Sequence, residues 1–216
     1  MKYTITLTLV FFIFSCKNNE MNFDFAEIGE YEIIEGYTDK NSYEIGDTVH
    51  FFLKSNTDTL ALIEIKDLND NIKFSKLSYI NNQQIIGSDP WKNGLGFDTT
   101  VSIVLDESNF SSGLFFLETI PIIVKKKKNE STDLLVVLPT NTMTAYTVLG
   151  GKSFYKDLVS DGIRADVLSF RRPYRKYSDG KGGERLRVKP GVKWLYNQGY
   201  DINFITDYDM DEPNYS

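Results

Sequence analysis

Histidine and cysteine are nearly missing from this chain: its 216 residues contain one of each, His50 and Cys16. A zinc site assembled from His and Cys ligands is all but excluded. A Ser-His-Asp or Cys-His apparatus would have to rely on His50 alone. That residue alternates with Val49 and Phe51 in a strand-like pattern, so it reads as structural or surface. A single cysteine can form no intramolecular disulfide. A phosphate-binding loop is missing too, although Gly150-Gly151-Lys152-Ser153 suggests one at first sight. The first glycine of such a loop would fall at position 146, which is tyrosine. A tyrosine does not take up the left-handed backbone cheaply, and its ring would fill the cradle.

What is present is ordinary for a folded protein: 41% hydrophobic and 25% charged residues, with aromatics at 14% suiting β-rich packing. The net charge of −6 is unevenly spread. Lys17–Asp133 carries 11 basic and 20 acidic residues, net −9, whereas Arg164–Lys193 carries 10 basic and 3 acidic, net +7. The acidic part is a solvated face and argues against a nucleic-acid partner. The basic stretch "RRPYRKYSDGKGGERLRVKP" is read as a flexible loop, with Arg171 or Arg172 paired to acids such as Asp207 or Asp209. It could also attract an anionic substrate.

The N-terminus reads as an address. "MKYTITLTLVFFIFSC" has a basic start and an apolar stretch, Ile5–Phe14, too short to span a bilayer. The sole cysteine closes it after a small residue, the pattern of a bacterial lipoprotein signal in which Cys16 carries the lipid. An ordinary secretory signal is the alternative. Residues 1–16 are set aside as signal and 17–29 as a polar tether, which places the protein in the bacterial cell envelope, periplasmic or surface-exposed.

Residues 30–128 read as antiparallel β. "YEIIEGYTDKNSYEIGDTVHFFLKSN", "LALIEIKDLNDNIKFSKLSYI", "DTTVSIVLD" and "GLFFLETIPIIVKK" alternate between turn-rich breaks. Five or six strands at this spacing suggest an immunoglobulin-like β-sandwich. "KKKKNEST" is read as a solvated linker. From residue 133 the style changes. "LLVVLPT" and "RADVLSF" read as strands buried on both faces and "DINFITDYDM" as a third strand, with a short helix in "VKPGVKWLYNQGY". This is the grammar of a parallel, Rossmann-like α/β sheet, in which function collects past the carboxyl ends of the strands. Three such strands make a poor domain, so 133–216 is expected to be the N-terminal part of an incomplete one; a small atypical domain is the alternative.

Just past the first of these strands lies "PTNTMTAY". It reads either as hydroxyls at the mouth of the sheet or as an Asn/Thr-capped turn with Tyr146 in the core.

"LPTNTMTAYTVLGGKSFY", "RADVLSFRRPY" and "WLYNQGYDINFITDYDMDEP", with "GYTDKNSYEIGDTVHFFLKS" and "DPWKNGLGFDTT" upstream, resemble the large subunit of N,N-dimethylformamidase and its relatives. The resemblance implies a β-sandwich followed by a Rossmann-like domain that holds a mononuclear ferric iron. Two tyrosine phenolates and a glutamate hold that iron in the characterised enzyme, which hydrolyses the C–N bond of a small formamide. Carried over to this chain, Tyr146 is the first phenolate and Tyr174 the candidate for the second, with Tyr177 as fallback. The glutamate belongs to a later motif that these 216 residues do not contain. Asn141 and Thr142 are candidates for orienting substrate or a water. Chemistry of this kind needs no histidine or cysteine. A small accessory subunit or a homo-oligomer is compatible with it. Other readings stay open: a family member acting on another amide, such as a carbohydrate-linked one, or a non-catalytic surface lipoprotein whose sandwich binds a partner or glycan.

Overall fold

The structure is a computed structural model, which describes residues 35–173 and 184–211, the side chains of 184–188 excepted. Cys16, Tyr174 and Tyr177 lie outside the described residues. In chain order the elements are β1 (Glu35–Thr38), β2 (Thr48–Lys54), β3 (Thr59–Lys66), β4 (Ile72–Ile80), α1 (Pro90–Asn93), β5 (Val101–Val104), β6 (Gly113–Leu117), β7 (Ile120–Val124), β8 (Leu134–Leu138), α2 (Thr140–Tyr146), α3 (Glu184–Asn197), β9 (Ile202–Thr206) and α4 (Asp207–Met210). The fold is mostly β-sheet with few helices.

Alternation dictates the first two sheets. In β2, "TVHFFLK", Val49, Phe51 and Leu53 are fully buried, and the residues between them face the other way. In β3, Ala61, Ile63 and Ile65 turn inward. Sheet order is β1-β2-β5 in one sheet and β4-β3-β6-β7 in the other, all pairs antiparallel. The inward residues of both sheets form one core. His50 stands on β2 with its Nδ1 2.8 Å from Ser102 Oγ of the neighbouring strand, a cross-strand pair.

One expected strand divides in two. "GLFFLETIPIIV" folds as the β6–β7 hairpin, with Leu117 opposite Ile120 and only Glu118-Thr119 between them. The turn puts Glu118 at φ 48°, a conformation that asparagine or glycine usually signals, so nothing in the sequence marks it. Pro121 is tolerated because β7 is an edge strand of its sheet.

β8 and β9 form a parallel pair in register from Leu134–Ile202 to Leu138–Thr206. Two sequence expectations are corrected here. "RADVLSF" forms no strand: Ala165 N–H donates to Ser153 O in a loop and Ser169 N–H to Trp91 O in α1, single bonds and not a ladder, and Val167 is exposed. β8 is buried on one face only, with Leu135 and Val137 exposed. The helix expected in "VKPGVKWLYNQGY" begins earlier, at Glu184, and ends as expected near Gly199, whose φ of 82° suits a helix stop.

The outer face of β6–β7 is the floor on which this third sheet lies. Leu114, Phe116 and Ile123 pack with Leu138, Ile202 and Phe204, and with Val192 of α3. Polar ties reinforce the contact. Lys125 Nζ lies 2.6 Å from Asp209 Oδ1, with both side chains nearly enclosed. Lys126 donates its main-chain N–H to Asn203 Oδ1 at 2.9 Å and pairs with Asp201. The first two lysines of "KKKKNEST" are thus staples, not part of a solvated linker.

Candidate functional site

The two parallel strands end level, and their carboxyl ends deliver α2 and α4 side by side. α2, "TNTMTAY", is a helix where the sequence reads as a loop or turn. Its three threonines are poor helix formers, and the residue before it, Pro139, makes no side-chain cap. Groups from distant parts of the chain supply what the helix lacks. At its start, the Asp207 carboxylate accepts the Asn141 N–H, at 3.1 and 2.9 Å to its two oxygens, and the Thr140 hydroxyl. A carboxylate at a helix N-terminus satisfies orphan N–H groups and opposes the positive end of the dipole.

The far end of α2 is held by Arg172, 1% exposed. Its guanidinium donates to the carbonyls of Thr144 at 3.1 Å, Leu149 at 2.9 Å, Lys152 at 3.0 Å and Ser169 at 2.9 Å, and to Thr147 at 3.5 Å. A cation at the C-terminal end of a helix is the favourable sign. The Gly-Gly-Lys-Ser segment differs from a phosphate loop here: the carbonyls of Leu149, just before it, and Lys152, within it, face a guanidinium, whereas a phosphate loop turns N–H groups towards an anion. Gly150, at φ 93°, must be glycine here, since a Cβ would come 3.2 Å from Arg172 Cδ and Trp91 N. Lys152 Nζ sits 5.1 Å from the Trp91 ring centre.

The expected pairing of Arg171 or Arg172 with Asp207 or Asp209 is not what forms. Asp207 caps α2. Asp209 is buried and held by Lys125, by the Ser42 hydroxyl at 2.7 Å and by Thr206. Burial works against the charge of Asp209, but the Lys125 ammonium and the hydrogen bonds outweigh it and leave its carboxyl below the usual range. Thr206 and Asp209 also form a reciprocal capping box that starts α4.

Between these clamps stands Tyr146, the last residue of α2, with 38% of its surface exposed. Its ring is not in the core. It stacks on Tyr155, with centroids 4.2 Å apart and planes 24° from parallel. Asn141 takes part through its main-chain N–H, and Thr142 is half-buried on the same helix. Tyr174 is outside the described residues. Its neighbour Pro173 is buried, and the Pro173 carbonyl accepts the hydroxyl of Thr147, the residue after Tyr146, at 3.0 Å.

Asp207 and Arg172, expected as members of an ion pair, instead hold the two ends of α2, and no sequence signal pointed to Tyr155. The level of the β8 and β9 ends, which fixes Asp207, depends on pairing across 68 residues.

Among the described residues no group of three or more His, Cys, Asp or Glu could hold a metal ion. The fit to an iron is therefore partial. Tyr146 is a hard oxygen donor that is partly exposed, but the carboxylates of α4 are committed, Asp207 to the opposite end of α2 and Asp209 to Lys125. No helix among the described residues is long and apolar enough to cross a membrane.

A family model described as N,N-dimethylformamidase beta subunit-like, C-terminal, matches residues 86–216, which include β5 to β9 and every residue of the arrangement above except Ser42. Comparison with curated proteins and with solved structures gives no match.

Proposed function

The chain belongs to the N,N-dimethylformamidase beta subunit-like family, and on that premise we propose that it is a hydrolase subunit cleaving the C–N bond of small amides. The observation that carries this reading is the position of Tyr146. Tyr146 is more than a third exposed, past the carboxyl end of the parallel pair, on a helix clamped at both termini.

A ferric ion is the cofactor of this reading, held by Tyr146 and Tyr174. When bound it would polarise the amide carbonyl and acidify a water. The protein's part is to aim the Tyr146 oxygen. Asp207 keeps the first turn of α2 wound, Arg172 fixes the carbonyls at its end, and Asn141 and Thr142, on the same helix, are candidates to orient substrate. A tyrosinate at neutral pH needs a metal, since a phenol ordinarily titrates near pH 10.

The finer architecture of the proposal is an immunoglobulin-like sandwich for the antiparallel sheets and a Rossmann-like sheet begun by β8 and β9. The cellular setting is the bacterial envelope, anchored through lipid on Cys16. Membrane fractionation of a Cys16→Ser variant tests that setting, and a membrane-bound variant overturns it.

Amine release from small N-alkyl formamides tests the function, with iron-loaded full-length protein. Tyr146→Phe should lower kcat/KM by about 100-fold or more, the scale of damage to a metal's surroundings or worse. Tyr196→Phe, an exposed tyrosine on α3, should not. Equal activity in the parent and Tyr146→Phe overturns the proposal.

A further inference from the structure

Resting on the reading of Tyr146 as a functional phenol, we propose that Tyr155 is a positioning residue that sets the direction of that phenol. Tyr146 is the last residue of α2, where backbone hydrogen bonding ends, and its side chain is more than a third exposed. Its ring direction is set by which staggered rotamer the side chain adopts. The Tyr155 ring covers one of its faces at 4.2 Å and removes some of that freedom.

The stack is built into the loop. The Ser153 hydroxyl, fully buried, donates to the Ala145 carbonyl at 2.6 Å. Phe154 N–H donates to the same carbonyl at 3.3 Å, and Tyr155 N–H donates to Ser153 Oγ at 3.2 Å. Ala165 N–H fixes Ser153 from the other side, at 2.8 Å to its carbonyl. Two consecutive residues, Ser153 and Phe154, are thereby tied to the residue immediately before Tyr146, and the next, Tyr155, bonded to Ser153, lays its ring on Tyr146. Tyr155 itself is 43% exposed, so its removal excavates no core. The ring does the positioning and the Tyr155 hydroxyl is dispensable. Holding a reacting group in one direction before substrate arrives is the general use of such a contact.

The test compares parent, Tyr155→Phe and Tyr155→Leu in full-length protein. In metal-free samples, nitration of Tyr146 by tetranitromethane is followed by peptide mass spectrometry. Tyr155→Leu should raise the rate about two- to tenfold, the factor an aromatic stack contributes to an open–closed balance, and Tyr155→Phe should leave it near the parent's. In iron-loaded samples, Tyr155→Leu should shift or broaden the phenolate-to-iron absorption band and lower kcat more than it raises KM, with Tyr155→Phe restoring both. A Tyr155→Leu variant with the parent's nitration rate and band overturns the proposal, as does a Tyr155→Phe variant as impaired as Tyr155→Leu. A parent with no iron band sinks the amide-hydrolase reading, whereas the nitration ratio still answers for the stack.

Discussion

Arg172→Lys keeps the positive charge at the end of α2 and removes the geometry. The guanidinium serves four carbonyls at 2.9–3.1 Å and a fifth at 3.5 Å, from a side chain that is 1% exposed. A lysine ammonium has three N–H donors on a single atom and cannot span acceptors spread over residues 144, 147, 149, 152 and 169. One or two buried carbonyls are left without a donor, at about 1–3 kcal/mol each, so the variant should be less stable by about 2–4 kcal/mol. For a chain of this length each kcal/mol lowers Tm by about 2–4 °C. The measurement is thermal and urea unfolding of parent and variant, with Arg171→Lys as control. Arg171 is exposed, and its substitution should stay within about 0.5 kcal/mol. An Arg172→Lys variant within about 1 kcal/mol of the parent would refute the claim that the guanidinium organises residues 144–152.

Asp207→Ala removes the carboxylate that winds the first turn of α2, a loss of about 1–2 kcal/mol with faster hydrogen exchange at the Asn141 amide; unchanged exchange there would contradict the capping role. Asp209 supplies a pH dependence. Its carboxyl titrates below the ordinary range, so its stabilisation is complete above the unfolded value of about 3.9 and is lost as the pH falls through the lower folded value. Asp209→Asn should be less stable than the parent at pH 7 and should show a flatter acid unfolding curve below about pH 4; parallel curves would refute the buried pair with Lys125.

The antiparallel strands were legible because a strand with one face on a core must alternate, and β2 and β3 do so without exception. The β6–β7 hairpin was not, because its turn uses Glu118 in a conformation that glycine or asparagine would have announced. "RADVLSF" has a strand's composition but finds no partner strand, which composition does not report. α2 is the most instructive miss. Residues 140–146 have poor helix propensity, and the groups that make them helical come from positions 172 and 207, brought close by folding alone. The same reason hid Lys125: a lysine in a run of four looks solvated until its acid, 84 positions away, is placed beside it. Tyr146 was legible as a residue of interest. Whether its ring lay in the core or in the open depended on the helix, and so on those distant caps.

The visible absorption spectrum of the iron-loaded full-length protein, parent beside Tyr146→Phe, bears most directly on what this end of the fold is for. A phenolate-to-iron band in the parent that is lost or strongly weakened in Tyr146→Phe is the predicted result; a band of equal position and strength in both would show that the Tyr146 oxygen holds no metal.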